Sequence, residues 1–304
     1  MSWRTYVDFL KTKPLALRVA DRLGRGKGRL RWIDALDVPP PAPEAPDLRD
    51  WENNRLAAVW IGHATVLLRF AGMTILTDPV LSYRVGIGMG FVTAGPRRHI
   101  AAALRVDQLP PLDLILISHA HFDHLDRPTL TRLPKHTPIV TAHRTSDLLD
   151  DLGFASVSEL RWGETTTFGR LTIRATEVNH WGARTFYDQH RGYNGYFLES
   201  DDAQRVLYAG DTAYQDKFRD AGKVDLAIFG IGAYNPYIRA HATPEQAWEM
   251  AGHLKADHVL PIHHSTFKLS HEPMEEPMER MLAAAGARSD RIVARHVGGT
   301  WRDE

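Results

Sequence analysis

Cysteine is missing from all 304 residues, which excludes disulfides, thiolate zinc sites, iron–sulfur clusters and cysteine nucleophiles. Net charge is missing too: 37 Lys/Arg balance 37 Asp/Glu, so the total implies neither a strongly acidic nor a strongly basic partner. No apolar run approaches the roughly 20 residues that a membrane span requires. Lys11, Lys13, Arg18 and Asp21 interrupt the N-terminal segment, which therefore lacks the apolar core of a signal peptide. A Gly-x-Ser-x-Gly elbow for a serine nucleophile is also absent. A cytoplasmic protein is the expectation. What is plentiful is histidine, with 16 residues, in a chain that is 43% hydrophobic and long enough for a well-buried core.

The balanced charge is unevenly spread. Residues 1–32 carry nine Lys/Arg against Asp8 and Asp21, a net +7, interleaved with Trp3, Tyr6, Phe9, Leu10 and other apolar residues. This segment reads either as an extension packing its apolar side on the main domain or as a basic anchor in peripheral contact with anionic membranes. Pro14 and Gly24-Arg25-Gly26-Lys27-Gly28 argue against one long helix. The rest of the chain carries −7, which opposes binding to a phosphate backbone, so no nucleic-acid partner is expected. The proline-rich stretch Val38-Pro39-Pro40-Pro41-Ala42-Pro43-Glu44-Ala45-Pro46 reads as a semi-rigid connector. The expected organisation is a basic extension and connector over residues 1–50 and one domain over 51–304.

Short apolar or alternating runs predict strands over 56–61, 65–70, 73–77, 112–117, 138–141, 157–162, 171–178, 195–199, 205–208, 224–229, 258–262 and 291–297. Helices are predicted over 127–133, 144–152, 213–221 and 274–285, with another opening at Thr243-Pro244-Glu245, where Thr243 is the N-cap and Pro244 the first helical residue. A glycine-rich irregular stretch extends to about residue 110. Two strand-rich halves, each closed by helices, suggest two sheets packed face to face with helices outside.

The predicted strand over 112–117 runs directly into Ser118-His119-Ala120-His121-Phe122-Asp123-His124-Leu125-Asp126. Here four metal-capable side chains fall within six residues. In extended backbone His119, His121 and Asp123 project to one side and His124 to the other, so one loop can serve two ions. Crowded imidazoles after a buried strand call for a compensating cation, and without cysteine its donors must be nitrogen and oxygen. Three further candidates follow predicted strands: His180, Asp211 and His263. Asp211 alone reads equally as the cap of a following helix. Ligands delivered by several strand ends are the usual construction of metallohydrolase sites.

These residues carry a resemblance. Trp60-Ile61-Gly62-His63-Ala64-Thr65, Thr77-Asp78-Pro79-Val80, Gly95-Pro96-Arg97, the His119–Asp126 stretch, Asn179-His180-Trp181, Gly210-Asp211-Thr212 and Pro261-Ile262-His263 with Thr266-Phe267 resemble the metallo-β-lactamase superfamily. Within it they are most similar to the branch of the N-acylphosphatidylethanolamine-hydrolysing phospholipase D and the ascorbate-6-phosphate lactonase. The resemblance implies an α/β fold, a four-layer αββα sandwich of two mixed sheets. It implies that His119, His121 and His180 hold one zinc ion, that Asp123, His124 and His263 hold a second, and that Asp211 bridges them. Iron or manganese would suit the same donors. A hydroxide between the ions would be the nucleophile, with Asp123 and His241 as the candidate catalytic residues. His241 would donate a hydrogen bond to the developing oxyanion or leaving group, or serve simply as a loop residue before the helix cap. Asp78 and Asp126 would orient ligand imidazoles, while His63 would either approach the site or only shape its turn. The implied activity is hydrolysis of a small-molecule or lipid phosphodiester, with a lactonase or other ester hydrolase as the alternative.

The chain also departs from the branch. His264-Ser265 replaces the usual aromatic and glycine, leaving His264 as a competitor to His263, and Ala233-Tyr234-Asn235-Pro236-Tyr237 replaces an acid-plus-arginine pattern. Both departures concern the substrate more than the metal.

Overall fold

Apolar runs become strands here because both faces of each sheet are covered. The computed structural model describes residues 38–89, 92–185 and 187–303. β1 (Leu56–Gly62), β2 (Thr65–Phe70) and β3 (Met73–Thr77) form an antiparallel meander. The short hairpin of β4 (Ile87–Met89) and β5 (Val92–Ala94) lies within the stretch predicted to be irregular. Then β6 (Leu114–Ile117), β7 (Ile139–Ala142) and β8 (Val157–Leu160) extend the first sheet in parallel. β9 (Thr165–Phe168), β10 (Leu171–Thr176), β11 (Gly195–Ser200) and β12 (Arg205–Tyr208) pair antiparallel in a second sheet. β13 (Leu226–Gly230) and β14 (His258–Ile262) add to it in parallel, and β15 (Thr300–Arg302) returns to β1. The orders are β15-β1-β2-β3-β6-β7-β8 and β14-β13-β12-β11-β10-β9.

Side chains alternate between two destinations, as the period of two requires. Ala58, Trp60, Leu68, Leu116 and Val140 of the first sheet meet Ile173, Tyr196, Leu198, Tyr208, Ile228 and Leu260 of the second in the central core. The neighbouring Ala57, Val59, Ile61, Ile115 and Ile117 face outward under Leu125, Leu130 and Leu133. On the other outside, Phe197, Leu207, Ala227 and Phe229 pack beneath α2 (Pro244–His253) and α3 (Glu276–Ala285). Among the described residues a third helix, α1 (Arg127–Leu130), covers the first sheet. The architecture is the four-layer αββα sandwich. Each fully buried Leu, Ile or Val contributes roughly 1.5–3 kcal/mol, so the three apolar layers dominate the stabilisation.

α2 begins as its sequence requires: Thr243 accepts from Gln246 N, the Gln246 side chain accepts from Thr243 N, and Pro244 occupies the first turn. Other predictions need correction. Residues 144–152 form two 3-10 turns, Ser146–Leu148 and Asp150–Leu152, because Arg144 (φ 58°) opens the segment in left-handed backbone and Leu149 (φ −116°) breaks it between the turns. Residues 213–221 yield only the 3-10 turn Lys217–Asp220. The predicted last strand over 291–297 is a single bridge between Val259 and Ile292, since Ala294 (φ 47°) turns the chain away, and pairing resumes only at β15. The threonine-rich β9 was not among the predicted strands.

The basic segment 1–32 lies outside the described residues, while Pro39–Glu304 forms one unit. The stretch 39–50 therefore belongs with the unit, twelve residues ahead of the expected start at 51. Pro40 O accepts from Ala101 N, Glu44 N donates to Val297 O, and Asp47 N donates to Thr300 Oγ1. Among the described residues no helix is long and apolar enough to cross a membrane.

Gly298 (φ 95°) allows this docking, because a Cβ there would stand 1.8 Å from Glu44 O. Gly298→Ala should cost on the order of 1–3 kcal/mol, read as a lower unfolding midpoint in urea, together with new protease cleavage within residues 39–50. Unchanged stability and protection would show that the contact is dispensable.

Candidate metal centre

Every donor stands just past the end of a strand. The loop after β6 carries His119, His121, Asp123 and His124, folded back on itself where His121 O accepts from His124 N and Leu125 N. His180 follows β10, Asp211 follows β12, and His263 follows β14. Gly210 permits the approach of two loops: a side chain there would stand 2.7 Å from Ser118 Cβ and 3.1 Å from Asn194 O.

These loops bring together all seven predicted ligands. His119 Nε2 lies 2.8 Å from His121 Nδ1, which lies 3.3 Å from His180 Nε2. Asp211 Oδ2 is central: 3.1 Å from His124 Nε2, 3.3 Å from His263 Nε2, 3.7 Å from His180 Nε2 and 4.0 Å from His119 Nε2. Asp123 Oδ2 is 3.4 Å from His263 Nε2 and 3.7 Å from His124 Nε2. His241 stands at the border, with Nδ1 3.8 Å from Asp211 Oδ2 and its ring 5.0 Å from that of His180. The competition between neighbours resolves geometrically. His263 joins the cluster, whereas His264 packs its ring 4.4 Å from that of Trp60 and pairs its Nδ1 with Ser265 Oγ.

The surrounding hydrogen bonds aim the imidazoles. Asp78 Oδ2 lies 2.6 Å from His124 Nδ1 and accepts from Tyr208 OH and Ser118 Oγ at 2.5 Å, while Oδ1 accepts from Ser118 N at 2.7 Å. With Nδ1–H donating to that carboxylate, His124 turns its Nε2 towards the other donors. His180 does the same by donating from Nδ1 to Ala240 O at 3.0 Å. Asp126, expected to orient an imidazole, instead caps α1: its carboxylate accepts from Thr129 N, Thr129 Oγ1 and Ser82 Oγ.

Burial sets the electrostatics. It pushes His180 and His241 down to about 3 and His121 to about 4, leaving them neutral with lone pairs to share. His263 rises to about 9 despite burial, because Asp211 and Asp123 face it, and His124 is raised against burial by the same carboxylates. Both carboxyls lie well below their usual range, again against burial, because His124 and other imidazoles surround them.

The donor set fits metal ions. His124 Nε2, His263 Nε2 and Asp211 Oδ1 are buried without hydrogen-bond partners, even where a neighbouring donor lies near 3 Å. Such orphaned polar atoms are costly unless a cation takes them up. Donors about 2.1 Å from one zinc ion in a tetrahedron stand about 3.4 Å apart, close to most of the separations above.

One contributor is not foreseen by the sequence reading, and a second is left open by it. Arg184 donates from Nη1 to Ala120 O and Leu125 O, clamping both ends of the His119–His124 loop with its guanidinium 3.9 Å above the Phe122 ring. Nothing in Gly182-Ala183-Arg184 signals this. His63, left open between two readings, points into the cluster, with Nε2 2.9 Å from Asp123 Oδ2. The strand-end pattern that finds the other donors would have found it too, since it directly follows β1.

Comparison with known proteins agrees with this geometry. A family profile described as beta-lactamase superfamily domain matches residues 73–264, and the chain belongs to the metallo-β-lactamase superfamily, as a metal-dependent hydrolase. It is 31% identical over 257 residues to N-acyl-phosphatidylethanolamine-hydrolyzing phospholipase D 1 of Caenorhabditis elegans, covering 77% of this chain and 71% of that protein, which marks the branch. An uncharacterized protein of Mycobacterium tuberculosis is 32% identical over 260 residues, 81% of this chain and 68% of its own. Among solved structures, an isothiocyanate hydrolase from Delia radicum gut bacteria shares the fold, with a TM-score of 0.66 and 21% identity over 82% of this chain and 99% of that one.

Asp78→Asn should weaken metal binding by about 10–100-fold, because the amide loses one of the acceptor atoms that fix Ser118 and His124. Competition with a chromogenic chelator measures this, and an unchanged affinity would remove Asp78 from the ligand-orienting network.

Proposed function

We propose that this hydrolase is a dinuclear zinc phosphodiesterase acting on a phospholipid or a related phosphodiester. The observation that carries the reading is the position of Asp211 Oδ2 between two groups of donors, His119, His121 and His180 on one side and Asp123, His124 and His263 on the other. In this reading the first group holds one ion, the second holds another, and Asp211 belongs to both. When bound, such ions lower the pKa of water towards neutrality and polarise the scissile oxygen. The kinship with a phospholipid-hydrolysing relative favours the phosphodiester over other esters.

The protein's own groups supply the rest. Ala240 O and Asp78 hold His180 and His124 in the tautomers that turn lone pairs towards the ions. Asp123 keeps its carboxylate ionised among three imidazoles. His241, half-buried and neutral, has a ring N–H for the leaving oxygen. Trp181, with its ring 4.9 Å from that of His121 and 4.4 Å from that of His180, lines one side. In this reading the domain over 51–304, with 39–50 packed on it, carries the chemistry, and the basic residues 1–32 make a peripheral contact with the lipid surface.

Removing metal with a chelator should abolish hydrolysis and lower the thermal midpoint, and two equivalents of zinc should restore both. Elemental analysis that found two irons and no zinc would overturn the metal assignment. A panel of phosphodiesters and lactones tests the substrate: turnover of lactones alone would make the protein a lactonase. His241→Ala should reduce kcat by about 10²–10⁴-fold at unchanged metal content, and full activity in that variant would leave His241 as a loop residue.

A further inference from the structure

We propose that His63 is an additional ligand of the metal centre, completing with Asp123, His124 and His263 a second set of four donors that shares no residue with the first. The inference rests on the two-metal reading above. Both sets satisfy one geometric condition: in His63, Asp123, His124 and His263, as in His119, His121, His180 and Asp211, one donor atom from each residue lies within 4.8 Å of all the others.

The backbone around His63 is built to aim this ring. β1 and β2 shift register between Trp60 and Gly62, and the turn that follows holds His63 at φ 55°. Glycine or asparagine would serve a left-handed turn with less strain, and strained residues persist where the surroundings over-determine them. Here His63 N donates to Thr266 Oγ1 at 2.9 Å, while His63 O accepts from Trp60 Nε1 at 2.8 Å and from His263 N at 3.0 Å. The Phe267 ring meets the imidazole edge-on at 5.1 Å. The side chain is 1% exposed, with Nε2 turned to Asp123.

Its separation from them is that of a co-ligand. His63 Nε2 stands 2.9 Å from Asp123 Oδ2, the same oxygen that faces His263 Nε2 at 3.4 Å and His124 Nε2 at 3.7 Å. Donors about 2.1 Å from one ion are about 3.0 Å apart at a right angle and about 3.4 Å apart in a tetrahedron. The two positions then differ in kind. Asp211 Oδ2 leans towards His124 and His263 (3.1 and 3.3 Å) and away from His180 and His119 (3.7 and 4.0 Å), so five donors enclose the second position. The first keeps three imidazoles and the more distant side of Asp211, with His241 standing beside it at 3.8 Å from the same oxygen.

The test compares wild type, His63→Ala and His63→Gln by zinc stoichiometry, chelator competition and the visible spectrum of the cobalt(II)-loaded protein. Wild type should bind two ions. Both variants should keep one tight ion and lose affinity for the other by about 100-fold or more, the upper end of what outer hydrogen bonds alone are worth, with altered cobalt bands. The glutamine amide can donate to Asp123 where the imidazole does, so wild-type affinity and spectrum in His63→Gln would overturn ligation in favour of a hydrogen bond. Unchanged binding in His63→Ala would overturn it as well. Circular dichroism of the metal-free proteins checks folding, and if the alanine variant fails to fold, the glutamine variant decides by the same readouts. Fewer than two zinc ions in wild type would overturn the two-metal reading itself, which separates that failure from failure of the His63 assignment alone.

Discussion

One buried carboxylate joins the two sheets at the point where the donors gather. Asp78 follows β3 in the first sheet, and its oxygens collect Ser118 N and Oγ after β6, Tyr208 OH from β12 of the second sheet, and His124 Nδ1. A buried carboxylate is costly to desolvate unless it is fully hydrogen-bonded, and here two oxygens receive four close partners. The same contacts fix the distance between the sheets and the direction of an imidazole. Packing and site geometry thus meet in one side chain, and a change there would be felt in both.

Around this node the backbone departs from ordinary strand geometry at non-glycine residues. His63, Asp78 and His263 all have positive φ, at 55°, 30° and 61°. Each comes directly after a strand, where the chain leaves the ladder and side-chain direction is set by the turn. Such conformations cost of order 1–3 kcal/mol each. Dense hydrogen bonding from Thr266, Trp60, Leu116 and His63 O holds them. These three turns lie where side chains must converge, each at the point where the chain leaves its strand.

The seven predicted donors are legible in the chain because metal-capable residues placed directly after buried apolar runs seldom serve packing alone. His119 to His124 declare themselves by crowding, and Asp211 and His263 by position. What is illegible is made by long-range contact. Arg184 acts on carbonyls of residues some sixty positions away, and Tyr208 reads as an ordinary strand aromatic until its hydroxyl meets Asp78. Asp126 fails in the opposite sense: beside the motif it looks like an outer partner, yet Arg127-Pro128-Thr129 makes it a helix cap. The strands are readable because burial on both faces writes continuous apolar runs. The turns at 144–152 are not, because the left-handed Arg144 that opens them is held by Glu159, a residue outside the local pattern.

The donors that meet within a few ångströms span the chain from His63, beyond β1, to His263, beyond β14, the last strand to join the second sheet. No short contiguous fragment contains the set, and contacts of such sequence separation form late because loop closure must precede them. The centre therefore comes into being as one of the final acts of folding. A chain emerging from the ribosome holds the His119–His124 loop long before it holds Asp211 or His263, and metal captured at that stage would meet an incomplete cage. A complete cage, in this architecture, requires that both sheets have closed.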